Sequence, residues 1–281
     1  MPFQKTRTCG SDGNRAFFED AEKNFFFGLF SPMSSVVEVL QTVCFFDGLR
    51  EIQMKFLTEL HCHASETSEC SKLRGDELVN RYRARGFHAI VVTDHYHHHW
   101  FFHDELEGLT WEKKVDKYLS GYRNAKQHGD RVGLNVILGM ELRFTQNNND
   151  YLVFGFDEQL LYDHSALYDY TPERFREFSK VHQLLFIQAH PFRRGTVVFD
   201  YDLLDGIEIF NGHPRYLSAN PMAEFCHREQ SKKRPFIATV GSDCHRAPNV
   251  GLAGIVTEIL PQNSFDIAAI LRGGDYEIFK P

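Results

Sequence analysis

The sequence predicts an α/β protein whose parallel strands close into a barrel. Two observations predict it. From residue 54 onward, short apolar runs alternate with segments of helical period, and residue types that bind metals recur just after the apolar runs. In a (β/α) barrel the carboxyl ends of the strands converge on one face, whereas a doubly wound open sheet gathers its ligands at a switch point. Ligands after nearly every strand favour the barrel. The 281 residues, 42% hydrophobic and 25% charged, supply ample core, and a formal charge of −7 excludes a strongly basic nucleic-acid coat.

Strands are expected at 56–60, 89–92, 136–138, 151–156, 184–188, 206–210, 236–240 and 255–259. Between them, a helix beginning at Asp76 is closed by Gly86. A longer one runs from Trp111 to about His128, with Val115, Tyr118, Leu119, Tyr122 and Ala125 on the face of Trp111, Thr110 as its cap and Gly129 as its stop. Thr171-Pro172 and Asn220-Pro221 open two more, because proline suits the first helical turn. A last helix starts at Ser264 and closes at Gly273.

Residues 1–53 differ in composition. They hold nine of the 26 phenylalanines, and the stretch 25–46 carries a single charge, Glu38. That stretch is long enough to span a membrane, but Ser31, Pro32, Ser34, Ser35 and Gln41 dilute it, so no membrane segment is expected. We expect this N-terminal extension to pack poorly on the domain formed by residues 54–281, or to reflect a misassigned start codon upstream of Met54. Six cysteines without a CxxC pair point to a reducing, cytoplasmic setting.

The polar residues after the strands form a constellation. His61 and His63 end the first strand on the same face, because side chains alternate with period two, and Cys62 points away. Asp243 and His245 repeat that spacing, and His95, Glu141, His190 and Asn211 follow other strands. A single histidine at a strand end is usually structural; five metal-type groups in the same strand-relative position are hard to explain that way. The run His97-His98-His99 reads more simply as a loop packed by Tyr96, Trp100 and Phe101. No GxSxG elbow, GxxxxGK[ST] loop or GxGxxG follows a strand.

Taken in order, TELHCHASETSE, VVTDH, GMELRF, AHPFRRG, EIFNG and VGSDCH resemble the PHP domain family, the polymerase and histidinol phosphatase superfamily, over about residues 54–281. The resemblance implies a distorted (β/α)7 TIM-like barrel and a phosphoesterase with two or three divalent metals. It implies that His61, His63, Glu141 and Asp243 hold a first metal, that Glu141 bridges to a second also bound by His190, and that Glu69, His95 and His245 hold a third. Two positions depart from the usual pattern. Glu69 stands where His or Asp is common, with Ser68 and Glu66 as competitors, and the histidine after the Glu141 strand is replaced, with Asp150 able to act in its stead.

Imidazole and carboxylate donors without a thiolate suit zinc, manganese or iron. Such a centre supplies a metal-activated hydroxide and clamps a phosphoryl group for in-line displacement. Arg193 and Arg194 follow His190-Pro191 and are placed to grip phosphate oxygens, and His213 is a candidate to protonate the leaving oxygen. The expected activity is hydrolysis of a small phosphomonoester or nucleotide, with a short oligonucleotide also possible as partner. A metal hydrolase acting on a cyclic phosphate or an amide, and a non-catalytic metal-binding module, are the alternatives.

Overall fold

In the computed structural model the described residues are 54–197, 200–214 and 218–281. The expectations for residues 1–53, including the membrane and start-codon readings, lie outside them. The strands are β1 (Phe56–Cys62), β2 (Ala89–Val92), β3 (His95–His97), β4 (Asn135–Leu138), β5 (Met140–Arg143), β6 (Asp150–Phe154), β7 (Leu185–Gln188), β8 (Gly206–Asn211), β9 (Ile237–Gly241), β10 (Gly254–Thr257) and β11 (Glu277–Phe279). The helices are α1 (Gly75–Ala84), α2 (His98–Phe101), α3 (Trp111–Tyr118), α4 (Ser120–Val132), α5 (Glu158–Asp163), α6 (Pro172–Val181), α7 (Asn220–Ser231) and α8 (Ser264–Gly273). All eight expected strands form; β3, β5 and β11 were not expected.

The strands make two sheets, ordered β11-β10-β1-β2-β4 and β3-β5-β6-β7-β8-β9. The sheets adjoin twice. The chain runs from β2 into β3 and from β4 into β5, so each pair is one long kinked strand that starts in one sheet and ends in the other. At Gly139, between β4 and β5, an added Cβ would lie 2.7 Å from Val91 Cγ1, so the kink needs glycine. At the opposite seam, Cys62 at the end of β1 bridges Cys244 just after β9, with His63 N–H donating to Cys244 O at 3.1 Å. This is the distorted barrel. Its pairings are parallel except around β6, which runs antiparallel to both β5 and β7, and around β10, which runs antiparallel to both β1 and β11.

Strands buried on both faces read as continuous apolar runs rather than alternating ones. Ala89–Val92 are all buried, as are Leu185–Gln188. The main core joins Leu60, Val91, Met140, Leu152, Phe154, Phe186, Ile207 and Val240. A second cluster, with Leu78, Val79 and Tyr82 of α1 and Ala125 of α4, covers Ile90, Val92 and Val136. Burial of each such aliphatic or aromatic side chain contributes about 1.5–3 kcal/mol.

Three helix boundaries differ from expectation. The helix expected from Trp111 to His128 is two helices, because Thr67 inserts at Leu119: its hydroxyl donates to Tyr118 O at 2.7 Å and accepts from Gly121 N–H at 3.3 Å. The second helix passes through Gly129 and stops before Gly133, whose φ of 76° gives the left-handed cap. Asn220 does not cap α7; its side chain bonds the backbone of Asn211 in both directions, at 3.0 and 3.1 Å. Thr171, in contrast, caps α6 as its sequence implies, accepting from Arg174 N–H at 3.2 Å.

Candidate metal centre

Strand-end placement brings nearly all the candidate ligands together. Glu141, in β5, is the hub. Its Oε1 lies 3.3 Å from His61 Nε2 and 3.0 Å from His190 Nε2, and its Oε2 lies 3.5 Å from His63 Nε2 and 2.7 Å from His95 Nδ1. Each oxygen thus faces two imidazoles, the arrangement a bridging carboxylate requires. Asp243 divides its oxygens differently. Oδ1 faces His61, His63 and His245 at 3.6, 3.3 and 3.2 Å, whereas Oδ2 accepts from Arg193 and, at 3.2 Å, from Asn211. Asp150, at the start of β6, lies with Oδ2 3.6 Å from His190 Nε2, and Arg143 grips its carboxylate with two hydrogen bonds of 2.6 and 2.7 Å.

The backbone is bent to make this possible. His190 and Asp243 both have positive φ, 29° and 47°, a region that is costly for residues with a Cβ and that clusters at functional sites. Glu208 of β8 holds two of the ligands: its Oε1 lies 2.8 Å from His61 Nδ1, fixing that ring so that Nε2 points inward, and its Oε2 accepts from His190 N–H at 2.9 Å. Glu59 ties β1 to the β9 end, accepting from Tyr82 OH at 2.8 Å, from Ser242 N–H at 2.9 Å, and from the Ser242 hydroxyl.

Electrostatics follow from burial and pairing. Burial opposes ionisation of Glu141, but His61, His95 and His190 outweigh it and hold the carboxylate well below its ordinary range. Asp243 is likewise held low, against burial, by His61, His245, His63 and Arg193. Burial opposes a charge on His61, but Glu208, Asp243 and Glu141 hold it well above the usual value. His63 is pushed well below it by burial and by its neighbours His245 and His95. Burial also carries His213 down to about 4, so its ring is neutral at neutral pH.

The donors fit divalent cations. His61, His63 and Glu141 place one donor atom each within 4.8 Å of one another; so do Glu141, Asp150 and His190, and so do His63, His95 and His245. Two of these buried atoms, His61 Nε2 and His63 Nε2, have no hydrogen-bond partner among the described residues. Unpartnered buried polar atoms that point at one another are costly unless an ion sits among them.

Glu69 is the exception among the expected ligands. Its side chain is 73% exposed and lies 3.7 Å from His103. The competitors fare no better: Ser68 donates to Asp94 at 2.7 Å, and Glu66 accepts from Gly75 N–H at the start of α1. In their place the chain brings Cys70, which lines the same cleft wall as His95 and His245. Burial would raise that thiol, but the two rings outweigh it and bring it down to about 6. Cys62 does point away, its thiol donating to Val91 O.

The cluster opens into a cleft of about 730 Å³ whose wall includes Arg143, Arg193, Arg194, His213 and Arg246. Arg193 is half-buried and committed to Asp243 and Asn211, so it orients a ligand; Arg194 is exposed at the mouth. The ring of His213 lies 5.2 Å from that of His245, edge to face. The histidine run caps rather than binds: His97 Nδ1 accepts from Trp100 N–H at 3.1 Å, and His98 stacks on Phe102. Cys70, Glu208, Glu59, Arg143 and Arg246 escaped the sequence reading. Only Glu208 carried a signal there, as a lone carboxylate inside an otherwise apolar strand.

No curated protein matches this sequence. Among solved structures, PsfC from Pseudomonas syringae has a TM-score of 0.54 at 16% identity, over 81% of this chain and 92% of that one. A two-domain Bacteroides vulgatus protein containing a predicted PHP-like metal-dependent phosphoesterase gives 0.53 at 14% identity, over 81% and 65%. The lesion-specific endonuclease PfuEndoQ from Pyrococcus furiosus gives 0.53 at 14%, over 80% of this chain and 58% of its own. Such likenesses carry the fold. The model of the PHP domain matches residues 59–220, more than half of the sequence, and the chain belongs to the PHP domain family.

Proposed function

We propose that the chain is a metal-dependent phosphoesterase that hydrolyses a small phosphomonoester or a nucleotide. One observation carries the reading: a buried carboxylate, Glu141, with two imidazoles at each oxygen, at the foot of a cleft walled by arginines. His61, His63, Glu141 and Asp243 would hold one ion and Glu141, Asp150 and His190 a second, while His95 and His245 belong to a third. Zinc, manganese and iron all suit these donors; when bound, they supply Lewis-acid activation of water and neutralise charge on the phosphoryl group.

The chain's own residues supply the rest. Arg194 and Arg246, exposed at the mouth, attract and orient a phosphate, and Arg193 keeps Asp243 turned toward the histidines. His213 is neutral when the cleft holds no anion; a phosphate beside it would raise its proton affinity and let it serve the leaving oxygen. A small substrate is favoured over a long polymer because the chain has a net charge of −7 and the cleft arginines sit at one mouth rather than along a track. The likeness to PfuEndoQ keeps a short oligonucleotide as the second reading. The free thiols at Cys62, Cys70, Cys226 and Cys244 support a reducing, cytoplasmic setting, and no helix among the described residues is long and apolar enough to cross a membrane.

Alanine at His61 or Asp243 is expected to abolish both bound metal and phosphate release across a panel of phosphomonoesters, nucleotides, cyclic phosphates, oligonucleotides and amides. Full hydrolysis by either folded variant would refute the assignment. Wild-type turnover of amides alone would transfer the protein to another hydrolase class.

A further inference from the structure

Three imidazoles face one another at the outer side of the centre. The ring of His63 lies 4.4 Å from that of His95 and 4.3 Å from that of His245, and one donor atom from each falls within 4.8 Å of the others. His63 is fully buried and its Nε2 has no hydrogen-bond partner among the described residues, which is an independent sign that this group is built around a ligand. Carboxylates serve the inner groups, and the one expected here, Glu69, faces His103. What stands beside the two outer rings, in the same cleft wall, is Cys70.

We infer that Cys70 is a metal ligand: its thiolate completes a site with His95 and His245, on the outer side of His63, and makes this the soft position of the centre. The inference rests on the metal-centre reading above. Binding exchanges the S–H bond for a sulfur–metal bond and releases one proton to solvent, with no change of oxidation state. The chain then holds two kinds of position. The inner groups, built on Glu141, Asp150 and Asp243, accept oxygen-preferring ions such as Mn²⁺. A site of imidazoles and a thiolate prefers Zn²⁺ or Fe²⁺ and discriminates against Mn²⁺. The backbone supports the placement: Ser71 Oγ donates to His63 O at 2.9 Å, and Lys72 N–H donates to His245 O at 2.8 Å, so the residues just after the thiol are pinned to two of the histidines.

Cobalt(II) tests this without reference to catalysis, because thiolate coordination gives a near-ultraviolet sulfur-to-cobalt charge-transfer band that imidazole and carboxylate do not. The full chain, stripped of metal and titrated with Co²⁺, is expected to show that band. Cys70→Ser should lose it, whether or not one equivalent of bound cobalt goes with it. Cys70→Asp should bind the same number of ions as the parent without the band, which also answers the concern that the serine variant is misfolded. A band that survives in Cys70→Ser, or a fully loaded parent that shows none, overturns the inference. In the second case continued phosphate release would leave the phosphoesterase reading standing; a parent that takes up no cobalt would remove both.

Discussion

The inner and the outer parts of the centre are built to different rules. The inner part is closed: His61, Glu141, His190 and Asp243 are all buried, and Glu208, Arg193 and Asn211 hold His61, His190 and Asp243 from behind. The outer part is open: Cys70 is exposed, and His95 and His245 sit on the cleft wall. Rigid support for a ligand raises affinity and fixes its donor atom, whereas exposure lets an ion exchange and meet substrate. The difference teaches that two kinds of residue can belong to one centre: those that hold an ion permanently and those that hold one the solvent can reach. Glu141 is where they meet, since its Oε1 serves the inner pair and its Oε2 lies nearest His95.

Glu141→Gln is expected to disable both parts at once. Without the shared carboxylate the two parts lose the group that joins them, so both should lose metal together, and hydrolysis should fall to background. Elemental analysis decides it: a variant with the parent's metal content would show that the carboxylate is not shared.

Gly241→Ala strikes the inner part alone. An added Cβ would lie 2.3 Å from His61 Cβ and 2.9 Å from Glu208 Oε1. Overpacking of this kind costs about 1–3 kcal/mol, and displacing His61 from Glu208 should weaken inner metal binding roughly 10–100-fold. The cobalt–thiolate band should remain. Loss of the band at the same metal concentration would mean that the two parts are one cooperative site.

Glu59→Gln should leave activity least changed and alter only how stability depends on pH. Burial raises Glu59 from 4.5 to about 7. A carboxyl raised on folding favours the fold when protonated, so its contribution is complete below pH 4.5 and is lost as pH rises through 7. Glutamine does not titrate, so the variant's stability relative to the parent should climb across that window by on the order of 3 kcal/mol. Urea denaturation in the presence of chelator at pH 4.5, 6 and 8 measures it; parallel curves would mean that Glu59 is ionised throughout.

Much of the fold could be read from the chain because strands buried on both faces leave unbroken apolar runs such as Ala89–Val92 and Leu185–Gln188. The candidate ligands could be read because an HxH or DxH placed at a strand end presents both side chains on one face. The rest depends on contacts distant in sequence. Thr67 breaks a helix fifty residues away by taking the carbonyl of Tyr118, and no local periodicity encodes that. The Arg143 side chain gains meaning only where β5 pairs with β6 and brings it to Asp150. Cys70 lies in a loop, where neither alternation nor helical period says which of Glu66, Ser68, Glu69 and Cys70 turns inward.

The seam between β1 and β9 has a consequence for how the domain comes apart. His61 and His63 arrive with β1, Asp243 and His245 follow β9, and the backbone bridge of Cys62 to Cys244 lies between the two pairs. An ion gripped across that seam is a cross-link that closes a loop spanning most of the domain, and closing so long a loop costs the unfolded chain entropy that a bound ion makes unnecessary to regain. Metal uptake and closure of the ring are then one event. Chelation should loosen the seam before it loosens the β5–β6–β7 wall, and amide hydrogen exchange should register first at His63 and Cys244, whose backbone bond fastens the two edges.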